Sequence, residues 1–208
     1  FLYLPAKIIE GIFGVITLSL ITRLLIPEDY GNYHLSVTTV SIISLCLLGW
    51  LYQAAFRYVN NFTGKKKITV FYSTIFVVWA VINVSVSIIG LVFLFLFRNK
   101  FDTYTIKLLL LSILMFFTYS LAQILFYMLS AARIIKLFLI LTVISAALKP
   151  ALLILFIKVL ETGFAGAIIS LILVDTLVIA VINYRLKIYR YINLHLFSFK
   201  VMKKFSKY

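Results

Sequence analysis

The residues in this chain that could do chemistry are few, and their charge singles them out. Arg23, Lys149 and Asp175 lie within long apolar runs, and Glu10 lies near the start of one, three residues after Lys7. An ionisable group carried into a bilayer is costly, so it faces a partner, a cavity or the interface. Lys149 and Asp175 offer two chemistries. As a buried ion pair they would fix the register of two helices. As a cavity pair they would change partner when an anionic substrate or a coupling proton or sodium ion binds. Arg23 carries a guanidinium suited to bidentate contact with phosphate oxygens, or else a side chain snorkelling to the headgroups. Glu10 either makes a helix-end pair with Lys7 or serves as a proton- or sodium-sensing carboxylate. Arg23 and Lys149 are therefore the candidate substrate-binding residues, and Asp175 and Glu10 the candidates for ion coupling or ion pairing.

No constellation for covalent or metal chemistry accompanies them. Cys46 stands alone in an apolar run, and His34 and His195 have no carboxylate or cysteine at ligand spacing. No metal and no cofactor is expected on these grounds. The sequence contains no HExxH, GxSxG or Walker motif. Its polar loops are too short to build a soluble active site. An enzyme is not expected; a polytopic membrane enzyme of polysaccharide assembly would need a long polar loop or a His/Asp/Arg cluster on one face.

The elements that must position these charges follow from composition. The chain has 208 residues, 64% hydrophobic and 12% charged, with a mean hydropathy of +1.13. Soluble domains are near half apolar and a quarter charged, so the solvent for most of this chain is lipid. Runs of roughly 20 apolar residues fill a hydrocarbon layer of ~30 Å. Six are expected, at about 7–26, 32–57, 68–97, 106–131, 134–159 and 163–184. They far exceed the strands of a membrane barrel and lack alternation, so the fold is all-α, a polytopic helical bundle. Pro27-Glu28-Asp29-Tyr30-Gly31 reads as the turn between the first two helices, and Pro150 as a kink in the fifth. Gly11, Gly14 and Thr17 form one small-residue stripe, and Thr38, Ser41 and Ser44 another, with close helix packing as their default meaning.

Depth arithmetic brings Lys149 and Asp175 together. The turn between the fifth and sixth helices centres near Glu161–Thr162. Lys149 lies about twelve residues before it and Asp175 about thirteen after, which puts both roughly 18–20 Å from that end. They would face each other near mid-membrane on antiparallel neighbours.

The net charge of +14 does not indicate nucleic acid, because the cations cluster between the apolar runs and at the C-terminus. Placing the N-terminus in the cytoplasm puts fourteen Lys and Arg inside, among them Arg57, Lys65, Lys66, Lys67, Arg133, Lys136 and the tail cations up to Lys207. Only Arg98, Lys100, Lys107 and Lys158 fall outside. The positive-inside rule then puts both chain ends in the cytoplasm. Residues 1–185 form the transmembrane unit. Residues 186–208 alternate cations with Tyr, Phe and Leu, as in an amphipathic segment on the inner leaflet or a linker to a second lobe.

The run GIFGVITLSLITRLLIPEDYGNYHL resembles the opening of bacterial polysaccharide biosynthesis proteins of the Wzx type, in the multidrug/oligosaccharidyl-lipid/polysaccharide exporter superfamily. Thr22, Arg23, Leu24, Leu25, Pro27, Glu28, Asp29, Tyr30 and Gly31 carry the likeness. Ala132-Arg133 and Thr162-Gly163-Phe164-Ala165-Gly166-Ala167 extend it in order along the chain. The resemblance implies a two-lobe flippase of twelve to fourteen helices, of which this chain is the first lobe. It implies export of an undecaprenyl-diphosphate-linked oligosaccharide across the bacterial inner membrane by alternating access of a cationic cavity, driven by an ion gradient. Arg23 matches the arginine of the motif and becomes the candidate for the diphosphate. The absence of an opening Met and of a second lobe makes a fragment the expectation. A multidrug/cation antiporter or lipid II flippase of the same superfamily is the alternative.

Overall fold

A computed structural model describes residues 3–62 and 64–205, so Lys207 lies outside the described residues. Its long helices are α1 (Tyr3–Leu24), α2 (Pro27–Tyr58), α3 (Lys65–Leu96), α4 (Thr103–Ala131), α5 (Ile135–Leu153) and α6 (Gly163–Leu186). A short α7 (Phe199–Phe205) closes the described chain. Among the described residues there is no strand, and five helices, α2 to α6, are long and apolar enough to cross a membrane. The sixth long helix, α1, has 22 residues, about 33 Å of rise. The chain is an all-α polytopic bundle.

Two boundaries differ from the hydropathy reading for local reasons. Pro27–Gly31 is not a turn but the first turn of α2. Proline at a helix start forfeits only an amide that would have been unpaired anyway, and Glu28 and Asp29 sit where the helix dipole favours carboxylates. The connection shrinks to Leu25 and Ile26. At Pro150 the helix continues in α form to Leu153 and only then loosens into a π-helical turn, Ile154–Val159.

The close approach of α6 to this π turn explains the glycines of the Thr162–Ala167 segment. Gly163 has a positive φ of 58°, a conformation that glycine adopts without the Cβ penalty. A Cβ on Gly166 would stand 2.9 Å from the Phe156 Cβ, so only a bare backbone fits. Gly11 and Gly14 are different: a Cβ on either would meet nothing within 4 Å. The stripe on α1 is therefore not a packing seam within this bundle.

The helix α4 is central, packed most extensively against α2 and α6, with α3 on its outer side. Between α3 and α4 lies a closed polar lock. Trp79 Nε1 donates to Ser120 Oγ at 2.9 Å, Ser120 Oγ donates to Asn83 Oδ1 at 3.2 Å, and Asn83 Nδ2 donates to the Trp79 carbonyl at 2.9 Å. By contrast α1 leans on α5 and has little contact with α2, although only two residues join them. The neighbours thus run α1, α5, α6, α4, α2, with a weak edge between α1 and α2.

The segment after α6 folds back on the protein. At 32 residues, α2 and α3 each rise about 48 Å, well beyond a hydrocarbon layer of ~30 Å. One turn of α3, Phe71 to Thr74, gathers the returning chain. Tyr191 packs on Tyr72. The Asn193 amide donates to Ser73 Oγ at 2.8 Å, and the Ser198 amide donates to Thr74 Oγ1 at 3.3 Å. Phe205 is fully buried against Phe71 and Tyr58, and Lys204 sits 4.8 Å over the Tyr58 ring. Tyr191 and Phe205 are thus turned toward α2 and α3.

Candidate functional site

The five helices with the weak edge line an open cavity of about 660 Å³. Its walls come from α1 (Phe13, Gly14, Thr17), α2 (Tyr33, Val37, Phe56), α4 (Tyr119, Gln123, Tyr127), α5 (Thr142, Ser145, Lys149) and α6 (Leu171, Asp175). Aromatic side chains and the few polar ones face this space, while many branched aliphatic side chains face outward. Ile42, Leu45, Val84 and Ile140 are among the exposed aliphatics.

Lys149 and Asp175 both line this cavity, the former one turn before the π segment and the latter on the facing side of α6. Among the described residues they make no ion pair within 4.0 Å. They act on each other through the cavity rather than by contact. Both are half-buried. An ion pair does form from Lys7 Nζ to Glu10 Oε2 at 2.7 Å, exposed on α1. These two residues also line the cavity, at the end of α1 remote from its junction with α2. Glu10, Lys7, Lys149 and Asp175 therefore share one space, with the ion pair at one end and the separated charges deeper in.

Arg23 lies elsewhere. It is exposed in the last turn of α1 and is not part of the cavity wall. The acidic half of the same segment is engaged. The Tyr104 hydroxyl at the start of α4 donates to Asp29 Oδ1, and Asn32 Nδ2 donates to that hydroxyl at 3.3 Å. The Asp29 Oδ2 faces Gly163, where a Cβ would lie 3.1 Å away. Tyr104 also packs on Phe164, with ring centroids 4.3 Å apart. The start of α2 is thereby latched to the starts of α4 and α6.

The aromatic wall could not be read from the sequence. Tyr33, Phe56, Tyr119 and Tyr127 belong to two helices, and aromatic residues are spread through every span. Beside the wall, buried Tyr52 stacks on Tyr127 at 5.6 Å and shares a 2.5 Å hydrogen bond with Ser44, which gives one residue of the second small-residue stripe a polar role. Cys46 is exposed rather than packed inside. Among the described residues no group of three or more His, Cys, Asp or Glu could hold a metal ion.

No family model and no curated protein matches this sequence. A solved structure does: the outward-facing conformation of a multidrug resistance MATE family transporter of the MOP superfamily, with a TM-score of 0.68 and 19% identity over 96% of this chain. The match covers 47% of that transporter, so the chain spans about half its length. At this identity the likeness establishes the fold: that of one half of a two-lobe membrane transporter.

Proposed function

We propose that this chain is the first lobe of an exporter that flips a lipid-linked oligosaccharide, carried on undecaprenyl diphosphate, across a bacterial inner membrane. The observation that carries a transport role is the cavity itself. A membrane bundle with a space of about 660 Å³, holding a lysine and an aspartate that are not joined to each other, keeps two charges available for a cargo or an ion. A purely structural pair would be closed. In this reading Lys149 contributes positive charge toward an anionic cargo, and Asp175 with Glu10 handles the coupling proton or sodium ion. Arg23 takes the outer rim, where a diphosphate would leave. The likeness of Thr22–Gly31 to Wzx-type openings supports the oligosaccharide. The excess of Lys and Arg at the end holding Arg57 and Lys66 supports a reading in which both ends of the chain are cytoplasmic.

A second reading is favoured by a separate observation. The solved neighbour is a multidrug transporter, and a cavity walled by Tyr33, Phe56, Tyr119 and Tyr127 with a carboxylate at Asp175 also suits an organic cation, through ring faces and opposite charge. The two readings separate in one experiment. In a strain lacking its own flippase, the full-length protein should restore surface polysaccharide without lowering accumulation of cationic dyes. Lys149→Gln, Asp175→Asn and Arg23→Ala should each abolish that restoration while the protein remains in the membrane. Dye efflux with no polysaccharide would establish the second reading, and wild-type export by all three variants would refute the assigned roles.

A further inference from the structure

A second concave surface lies on an adjoining face of the α5–α6 pair, meeting the cavity at Ser145, which lines both. It is a groove of about 490 Å³ between Leu137, Ile140, Ile144 and Leu148 of α5 and Val174, Leu177 and Val181 of α6. Its floor is closed by Leu141 and Val178, 3% and 4% exposed. Its walls are open: Ile140, Ile144 and Leu177 remain about half exposed. Two cations, Lys136 and Arg185, line it, and both are exposed.

The register makes the two cations neighbours. The helices are antiparallel, joined through the π segment and Leu160–Thr162. Lys136 and Arg185 therefore both fall at the end remote from that join. From Lys136 to Leu148 the groove runs twelve residues of α5, about 18 Å, against a leaflet depth of about 15 Å, half the hydrocarbon core. No Asp or Glu occurs from 136 to 148 or from 176 to 185. Asp175, at the far end, lines the internal cavity and not this groove.

We infer that this groove is a binding site for an anionic phospholipid of the leaflet at the Lys136/Arg185 end. The lysine and arginine hold the headgroup phosphate, the arginine through paired N–H donors. One acyl chain lies along Ile140, Ile144, Leu177 and Val181. Charge at one end and one leaflet's depth of apolar wall match the two parts of such a lipid. A purely apolar occupant would leave the paired cations without purpose, and a free phosphate would not need the groove. The inference does not depend on which cargo the protein exports.

The test uses the purified full-length protein in a neutral detergent, titrated with phosphatidylglycerol, phosphatidylcholine or inorganic phosphate while thermal unfolding is followed. Phosphatidylglycerol should stabilise the wild type saturably, phosphatidylcholine much less, and phosphate not at all. Each cation contributes about a fivefold change in affinity for an anionic lipid. Lys136→Gln with Arg185→Gln should therefore weaken the phosphatidylglycerol response about 25-fold, with an unchanged midpoint in phosphatidylcholine. Val181→Trp, which fills the groove and keeps both charges, should weaken it as well. Equal protection of wild type and the double variant would overturn the headgroup assignment. Undiminished binding by Val181→Trp would overturn the acyl-chain assignment. Loss of the response only when the protein dimerises would show the groove to be an interface between copies instead. A far stronger response to a polyprenyl diphosphate would move the site to the cargo, and the phospholipid assignment would fall.

Discussion

The latch at Asp29 can be broken from either side. The Tyr104 hydroxyl donates to the Asp29 carboxylate, and Asn32 supports that hydroxyl at 3.3 Å. A hydrogen bond to a charged group contributes roughly 1.5–3 kcal/mol when shielded. Both residues are only half-buried, so solvent screening lowers the figure to about 1 kcal/mol. For a chain of this size that corresponds to a fall of roughly 2–4 °C in the unfolding midpoint. Tyr104→Phe removes the donor and keeps the ring against Phe164. Asp29→Ala removes the acceptor. Each should lower the midpoint by that amount in detergent, followed by tryptophan fluorescence. The double variant should lose little more than either single, because the bond can be lost only once. The interaction energy from the double-mutant cycle should be about 1 kcal/mol. Additive losses would mean that the two side chains stabilise the protein separately, and the latch would be refuted.

Other perturbations test the packing. Gly166→Ala should cost about 1–3 kcal/mol, because the new methyl meets Phe156 and overpacking forces shifts; Gly11→Ala, in open space, should be neutral or gain up to about 1 kcal/mol in helix propensity, and equal midpoints for the two would refute the contrast. Ser120→Ala leaves Trp79 Nε1 and Asn83 Oδ1 without their partner and should cost roughly 0.6–1.7 kcal/mol, measured as a lowered midpoint beside an unaffected Ser85→Ala control. At the start of α4, hydrogen bonds from Thr105 hold the Asp102 carboxyl below its ordinary pKa. A depressed folded pKa stabilises above the unfolded value, so the capping contribution should be complete at pH 7 and fade as pH falls below about 4. The difference in midpoint between wild type and Asp102→Ala should therefore shrink on acidification; a constant difference from pH 7 to pH 3 would contradict the cap.

The fold was legible where a single physical variable decides it. Lipid demands internally bonded backbone, so run length and hydropathy were enough to find the helices. Their ends were less legible, because Pro, Asp and Gly serve both turns and helix starts. Pro27-Glu28-Asp29 satisfies either reading in one dimension, and the partner of Asp29, Tyr104 at the start of α4, is not visible in the local sequence. An expected depth along the helices was readable for Lys149 and Asp175 by counting residues to a turn, and both line one cavity. Rotation about the helix axis was not readable. It decides that the two charges share a cavity without touching, that Gly14 and Thr17 face that cavity, and that Gly166 alone of these glycines meets packed backbone. Rotation is poorly encoded here because each span is apolar nearly all round, so no polar stripe marks an inward face.

The Leu20–Tyr33 segment is pulled in two directions by this geometry. Its sequence places an arginine and two acids within seven residues of one another, as if for a single site. The structure separates them: Asp29 is committed to Tyr104 and faces Gly163, while Arg23 remains exposed on the last turn of α1. One half therefore fixes α2 to α4 and α6. The other belongs to a helix that leans on α5 and has little contact with α2. Because Leu25 and Ile26 are the whole connection, the two halves stand side by side yet belong to helices with different partners. The cavity residues divide the same way: Phe13, Gly14, Thr17, Lys7 and Glu10 of α1 stand with Lys149 of α5, while α2, α4 and α6 supply the remaining wall with Asp175. Lys149 and Asp175 therefore share the cavity from different helices without an ion pair between them, whereas the arginine of the motif lies outside it.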